Sequence, residues 1–341
     1  MLKKDKITNI LFQNWLTLNL ILVFSMIIVG GLTRLTDSGL SITEWELFKG
    51  IFPPMSDTSW NDYFESYKKI PQYELLNQNM TLGEFKIIFL WEYFHRILGR
   101  IIGLFFLIPL IYFNFFSVIE KKYLFLCNII FILILVQGLI GWYMVQSGLV
   151  NDVTVSHYRL AMHLVTAIII ISSIYWLLLN LKHNRNKSFF NFNKINSPFI
   201  ILIFLIFLQI IFGAFVSGLD AGKIYQTWPK MGDTFFPNDL VIINFLNIVD
   251  FDNHSLVQFY HRALAYFITM YITITAFYIF YKKMRKLFKY VLVVFIFLVI
   301  QILLGIFTLI SGLNIYLASA HQISSILLVF STIKLYYFSI K

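Results

Sequence analysis

Residues 92–104 read Glu-Tyr-Phe-His-Arg-Ile-Leu-Gly-Arg-Ile-Ile-Gly-Leu, and residues 258–262 repeat the opening of that stretch as Gln-Phe-Tyr-His-Arg. Each copy enters a long apolar run, where a histidine beside an arginine is costly unless something binds it. Those two runs, roughly 86–116 and 257–281, belong to a set of eight windows long enough to cross a bilayer. The others are roughly 12–33, 123–146, 157–181, 197–218, 288–311 and 315–338. The chain has 341 residues, 59% hydrophobic and 13% charged, with a mean hydropathy of +0.76. The expected fold is therefore an all-α polytopic membrane protein with eight transmembrane helices.

The formal charge of +10 does not imply nucleic acid, because the basic residues gather at one set of helix ends. Lys3, Lys4 and Lys6 precede the first span, and Lys121 and Lys122 separate the second and third. Lys182, Arg185, Lys187 and Lys194 separate the fourth and fifth; Lys282, Lys283, Arg285, Lys286 and Lys289 separate the sixth and seventh. The positive-inside rule places these loops and both termini in the cytoplasm, and the long loops 34–85 and 219–256 outside. The single cysteine, Cys127, has no intrachain partner, so no disulfide framework is expected. The first apolar run is long and lacks a small-residue cleavage site, which reads as a retained helix and not a signal peptide. The lack of an Arg-rich, Ser-rich transit segment points to a bacterial plasma membrane.

The two halves match beyond the histidine motif. Gly30, Asp37, Gly39 and Trp45 correspond to Gly213, Asp220, Gly222 and Trp228 at one constant offset, and Pro53 to Pro237 with a one-residue slip. Val136-Gln137 through Gly141 and Ser147-Gly148-Leu149 resemble Ile300-Gln301 through Gly305 and Ser311-Gly312-Leu313. An even number of spans per repeat gives both halves one orientation. The expected architecture is two tandem four-helix bundles, residues 1–185 and 186–341, with pseudo-two-fold symmetry about the membrane normal. Within the first long loop, Trp60, Tyr63, Phe64, Tyr67 and Ile70 recur at helical spacing, predicting an amphipathic surface helix that Pro71 ends. Thr81 and Glu84 have capping-box spacing at the entrance to the second span. Both long loops read as lids.

His95, His163, His261 and His321 fall early in the second, fourth, sixth and eighth spans, at comparable depth. Each is followed four residues later by a small residue: Gly99, Ala167, Ala265 and Ser325. Residues i and i+4 share a helix face, so a flat macrocycle can lie there while the imidazole reaches its iron. Arg96, Arg100 and Arg262 are the candidate partners for haem propionates. Zinc fits less well, because no Cys, Asp or Glu joins the histidines in a ligand pattern. His183 reads as solvated and His254 as a lid residue. An ungapped count from Ser147 and Ser311 puts His157 opposite His321, whereas the depth and small-residue strip favour His163.

Glu92 breaks the symmetry, since its counterpart is Gln258. A carboxylate in an apolar helix is a candidate functional group, and at three residues before His95 it shares the histidine's face. The structural alternative is a buried Glu92–Arg96 pair. On the functional reading the N-terminal haem is a substrate, beside which Glu92 handles protons or a cationic intermediate. The C-terminal haem beside Gln258 is then a resident electron carrier.

With these motifs in view, the chain resembles the haem A synthase family over essentially its whole length. The resemblance rests on Gly-Gly-Leu-Thr-Arg-Leu-Thr-Asp-Ser-Gly-Leu-Ser at 30–41, Phe-Pro-Pro at 52–54, Glu-Phe-Lys at 84–86 and Glu-Tyr-Phe-His-Arg-Ile-Leu-Gly-Arg at 92–100. Tyr-Arg-Leu-Ala-Met-His-Leu at 158–164, Tyr-His-Arg at 260–262 and Ala-His-Gln at 320–322 complete it. It implies oxidation of the C8 methyl group of haem O to a formyl group by successive hydroxylations, the gem-diol losing water to give haem A. It further implies that His95 and His163 hold the substrate haem iron, that His261 and His321 hold the iron of a haem b cofactor, and that Glu92 is essential. Haem O synthase upstream, cytochrome oxidase downstream and an unnamed electron acceptor are the implied partners; a homo-oligomer is left open. Unlike some bacterial members, this chain has no cysteine in either long loop. The competing reading is a di-haem b-type cytochrome that only transfers electrons. A transporter is a poorer third, since no span is discontinuous.

Overall fold

Apolar runs of this length leave the backbone no partner in lipid but itself, so helices follow. The computed structural model describes residues 6–44, 49–116, 119–150 and 152–340, less the side chains of 6–8 and 49. Lys3, Lys4 and Trp45, used above for charge and repeat, lie outside the described residues. In chain order the helices are α1 (Lys6–Leu35), α2 (Asp57–Tyr67), α3 (Pro71–Leu76), α4 (Leu82–Phe116), α5 (Lys121–Val150) and α6 (His157–Lys182). They continue with α7 (Ser197–Gly218), α8 (Phe245–Ile248), α9 (His254–Tyr281), α10 (Phe288–Ile310) and α11 (Ile315–Ser339). Eight are long and apolar enough to cross a membrane, and they coincide with the eight expected windows to within a few residues. Among the described residues extended structure is limited to an isolated bridge between Met231 and Thr234. The protein is an all-α, multi-pass membrane protein.

The chain divides into two compact units, Met1–Ile174 and Tyr175–Lys341, with the boundary inside α6. Lipid tails offer no hydrophobic drive for helices to associate, so shape and interhelical hydrogen bonds must hold each unit together. In the first unit Trp15 of α1 packs 4.7 Å from Phe106 and 5.4 Å from Phe113 of α4. Its indole N–H donates to the Phe105 carbonyl at 3.0 Å. Asn114 of α4 and Asn128 of α5 exchange amide hydrogen bonds at 3.3 Å. In the second unit Tyr271 of α9 donates to the Pro198 carbonyl at the start of α7, at 3.0 Å. Lys187 Nζ donates to the carbonyls of Tyr337, at 2.9 Å, and Ile340, capping the end of α11.

The first long loop folds as expected in kind but not in detail. α2 stops at Tyr67, and Pro71 opens the short α3 as its first residue, where a missing N–H costs nothing. The apolar face of α2 packs on α4 through a cluster of Leu40, Ile42, Phe64, Tyr67, Phe85 and Phe89. The capping box forms: Glu84 Oε2 accepts from Thr81 N and Oγ1, each at 2.8 Å, and Glu84 N donates to Thr81 Oγ1 at 3.3 Å.

The matched tripeptides at 147–149 and 311–313 differ in conformation. α5 runs through Gly148 to Val150, whereas α10 stops at Ile310 and Gly312 and Leu313 turn left-handed, at φ 71° and 65°. The cause is packing. An added Cβ on Gly148 would lie 2.7 Å from Leu40 Cδ1, so Gly148 is the seat for a leucine of the first long loop. In the second unit the roles exchange: Leu313 sits on Gly222, where an added Cβ would lie 2.8 Å from Leu313 Cδ2.

Candidate functional site

All four intramembrane histidines project from one transmembrane span onto a glycine of the span before it. An added Cβ at Gly30 of α1 would stand 2.9 Å from His95 Cε1, and at Gly141 of α5, 3.0 Å from His163 Cε1. In the second unit the corresponding distances are 3.2 Å from Gly213 of α7 to His261 and 2.9 Å from Gly305 of α10 to His321. Any side chain at these glycines would push the imidazole away. The notch therefore sets the ring's position, and each histidine as a residue is partly buried.

The odd-numbered transmembrane spans bring a second residue, one turn before each glycine. Gln209 Nε2 lies 3.2 Å from His261 Nδ1 and donates to the His261 carbonyl at 3.0 Å. Gln301 Nε2 lies 3.2 Å from both ring nitrogens of His321, whose Nδ1–H donates to the Gln301 carbonyl at 3.0 Å. Gln137 Nε2 donates to the His163 carbonyl at 2.9 Å. At the fourth place stands Met26, whose methyl would be 3.4 Å from a Cβ added at Gly99. The buried Nδ1 atoms of His95 and His163 have no hydrogen-bond partner. The glycines and glutamines at 137 and 301 are visible in the sequence only as repeat matches. The legible signal is a glutamine four residues before a glycine in three of the four spans, with methionine in the other.

This arrangement fits haem. Among the described residues no group of three or more His, Cys, Asp or Glu could hold a bare metal ion. Two imidazoles per unit are too few for a structural zinc site, but His95 with His163, and His261 with His321, would suffice to hold a haem iron whose remaining ligands come from the macrocycle. Gly99, Ala167, Ala265 and Ser325 are all partly accessible, and Gly103 has open space where a Cβ would stand. His157 opens α6, six residues before His163, buried with its ring 4.0 Å from that of Tyr158. Its place on the helix is that of Ile315 relative to His321, so the ungapped count fails on a longer α5–α6 connection. His183 and His254 are exposed.

The arginines reach the long loops. Arg96 Nη2 donates to the Ile42 carbonyl at 2.9 Å, and Arg100 Nη1 to the Gly50 carbonyl at 3.2 Å. Arg262 Nη2 donates to the Thr227 carbonyl at 2.5 Å and lines a cavity of about 170 Å³ with Met231, Phe235 and Phe259. Its Nη1 is buried without a hydrogen-bond partner, a donor suited to a carboxylate.

Glu92 is 3% exposed and accepts four hydrogen bonds. Oε1 takes Arg96 Nε at 3.0 Å and Nη2 at 2.6 Å; Oε2 takes Ser41 Oγ at 2.7 Å and Ile42 N at 2.9 Å. The buried pair thus forms, with a loop clamp that the sequence did not suggest. Gln258 makes the neutral version of the same tie, donating to the Tyr225 carbonyl at 2.9 Å.

A model of the cytochrome oxidase assembly protein family matches residues 13–333. A "Heme A synthase" of Pelagibacter ubique strain HTCC1062 is 50% identical over 321 residues, covering 93% of each chain. One from Rickettsia felis is 41% identical over 336 residues, covering 97% of this chain and 98% of the relative. One from Rickettsia bellii is 42% identical over 319 residues, covering 92% and 94%.

Proposed function

The chain belongs to the haem A synthase family, and from that premise we propose that it oxidises the C8 methyl group of haem O to the formyl group of haem A. The setting is a bacterial inner membrane, with both termini cytoplasmic, and the product is destined for cytochrome oxidase. The N-terminal half, residues 1–185, takes haem O on His95 and His163; the C-terminal half, residues 186–341, keeps haem b on His261 and His321. When bound, haem b supplies reversible one-electron chemistry. Converting methyl to formyl removes two hydrogens and adds one oxygen, so an electron acceptor outside this chain is required.

The observation that carries this reading is the acid one turn before a candidate ligand histidine in one half, Glu92, where the other half has the neutral Gln258. A carboxylate one turn from a ligand histidine is placed to stabilise positive charge that develops at the macrocycle rim. Four donors already occupy its lone-pair positions. That favours a fixed electrostatic role over carrying a proton. Arg96 and Arg100 would meet the substrate's propionates, and Arg262, with its unpartnered Nη1, those of haem b.

The test is mass spectrometry of haems extracted from a host that makes haem O but no haem A, with and without this chain. Appearance of the formyl haem supports the proposal. Unchanged haem O together with haem B in the purified protein would favour the di-haem electron carrier.

A further inference from the structure

The four ligand histidines are not held alike: His163, His261 and His321 each have a glutamine one turn before the glycine notch, and His95 alone has a methionine there. His261 and His321 each have a glutamine amide 3.2 Å from the ring, brought by the neighbouring helix one turn before the glycine notch. For His321, Nδ1–H donates to the Gln301 carbonyl, and the Gln301 amide lies 3.2 Å from Nε2, the nitrogen it would have to yield to iron. For His261 the Gln209 amide donates to the His261 carbonyl at 3.0 Å while its buried Oε1 has no partner, so turning the amide toward Nδ1–H would exchange one bond for the other. A hydrogen bond to the non-ligating nitrogen fixes the tautomer and orientation of a ligand imidazole and strengthens it as a ligand.

His95 lacks that support. The residue one turn before its notch is Met26, which carries no hydrogen-bonding amide, and His95 Nδ1 is buried without a partner. The Met26 methyl instead reaches over Gly99, part of the strip a macrocycle would cover. A thioether on three rotatable bonds is easily displaced and returns easily.

We propose that residues 26 and 209 are positioning residues that set haem retention: Gln209 locks the haem of the C-terminal half, and Met26 leaves the His95 site exchangeable so that product departs. This rests on the proposed division into a substrate half and a resident half.

The test uses full-length wild type, Met26→Gln and Gln209→Met, purified from a host making haem O. Transfer of haem to excess apomyoglobin is followed, and the haems remaining are identified by chromatography. Met26→Gln should slow the loss of haem O roughly 10-fold or more while the haem B rate stays put. Gln209→Met should speed the loss of haem B by about 10- to 100-fold and shift its low-spin electron paramagnetic resonance signal. A gain of retention in Met26→Gln is not something a damaged fold would produce. Unchanged rates in both variants, with haem B and haem O still sorted between the halves, would overturn the role of residues 26 and 209 alone. Loss of haem O instead of haem B from Gln209→Met would overturn the division of the halves, and the proposal with it.

Discussion

Glu92 and Arg96 lie 2.6 Å apart with 3% of Glu92 exposed, and removing one charge from such a pair strands the other. Breaking a buried pair in this way costs on the order of 3–5 kcal/mol, so loss of activity alone would not separate a chemical role from a structural one. The repeat supplies the control, because Gln258 and Arg262 occupy the same places and tie to loop carbonyls without an acid. Glu92→Gln should therefore fold, keep haem B at wild-type stoichiometry, still bind haem O, and form no haem A. Haem content and haem A yield from one preparation check this, and a variant that still makes haem A would remove Glu92 from the chemistry. The histidines, the small residues after them and Glu92 could all be read from the sequence, since each is an odd residue in an apolar run. Ser41 and Ile42 could not. Their part in holding Glu92 depends on the loop after α1 folding back onto α4, a contact that spans about fifty residues and leaves no local pattern.

The loop elements show where periodicity serves and where it stops. Helical spacing at 60–70 marks α2, yet the same spacing does not reveal that Ile70 caps α3, because the break at Lys68 is made by the C-cap. Tyr67 is fully buried in this loop, donating to Gln72 Oε1 at 2.9 Å and accepting from Asn77 Nδ2 at 2.8 Å. Burial raises its hydroxyl above the ordinary value of 10.0, the bond from Asn77 opposing. A group raised on folding adds stability that is complete below its unfolded value and lost as pH climbs through the folded one. Cleavage at Lys68 and Lys69 by an alkaline-active protease should accordingly accelerate above pH about 10, and Tyr67→Phe should abolish that pH step. A step that persists in Tyr67→Phe would assign it to another group.

At the scale of the whole molecule, eight apolar runs were enough for the spans. The glutamine-to-glycine spacing was equally present in the sequence, but Gly and Gln in apolar helices carry no meaning until the ring they accommodate is seen. The conformational difference at 147–149 and 311–313 was not legible at all, because it depends on which leucine fills which glycine seat. The central claim is that one histidine pair serves a passing haem and the other a resident one. The most direct measurement compares the haems bound by His95→Ala/His163→Ala and His261→Ala/His321→Ala, purified from a host that makes haem O and identified by mass spectrometry. The account predicts that the first keeps haem B and loses haem O and haem A, and that the second loses haem B while still holding haem O. Loss of the same haem from both variants would contradict it.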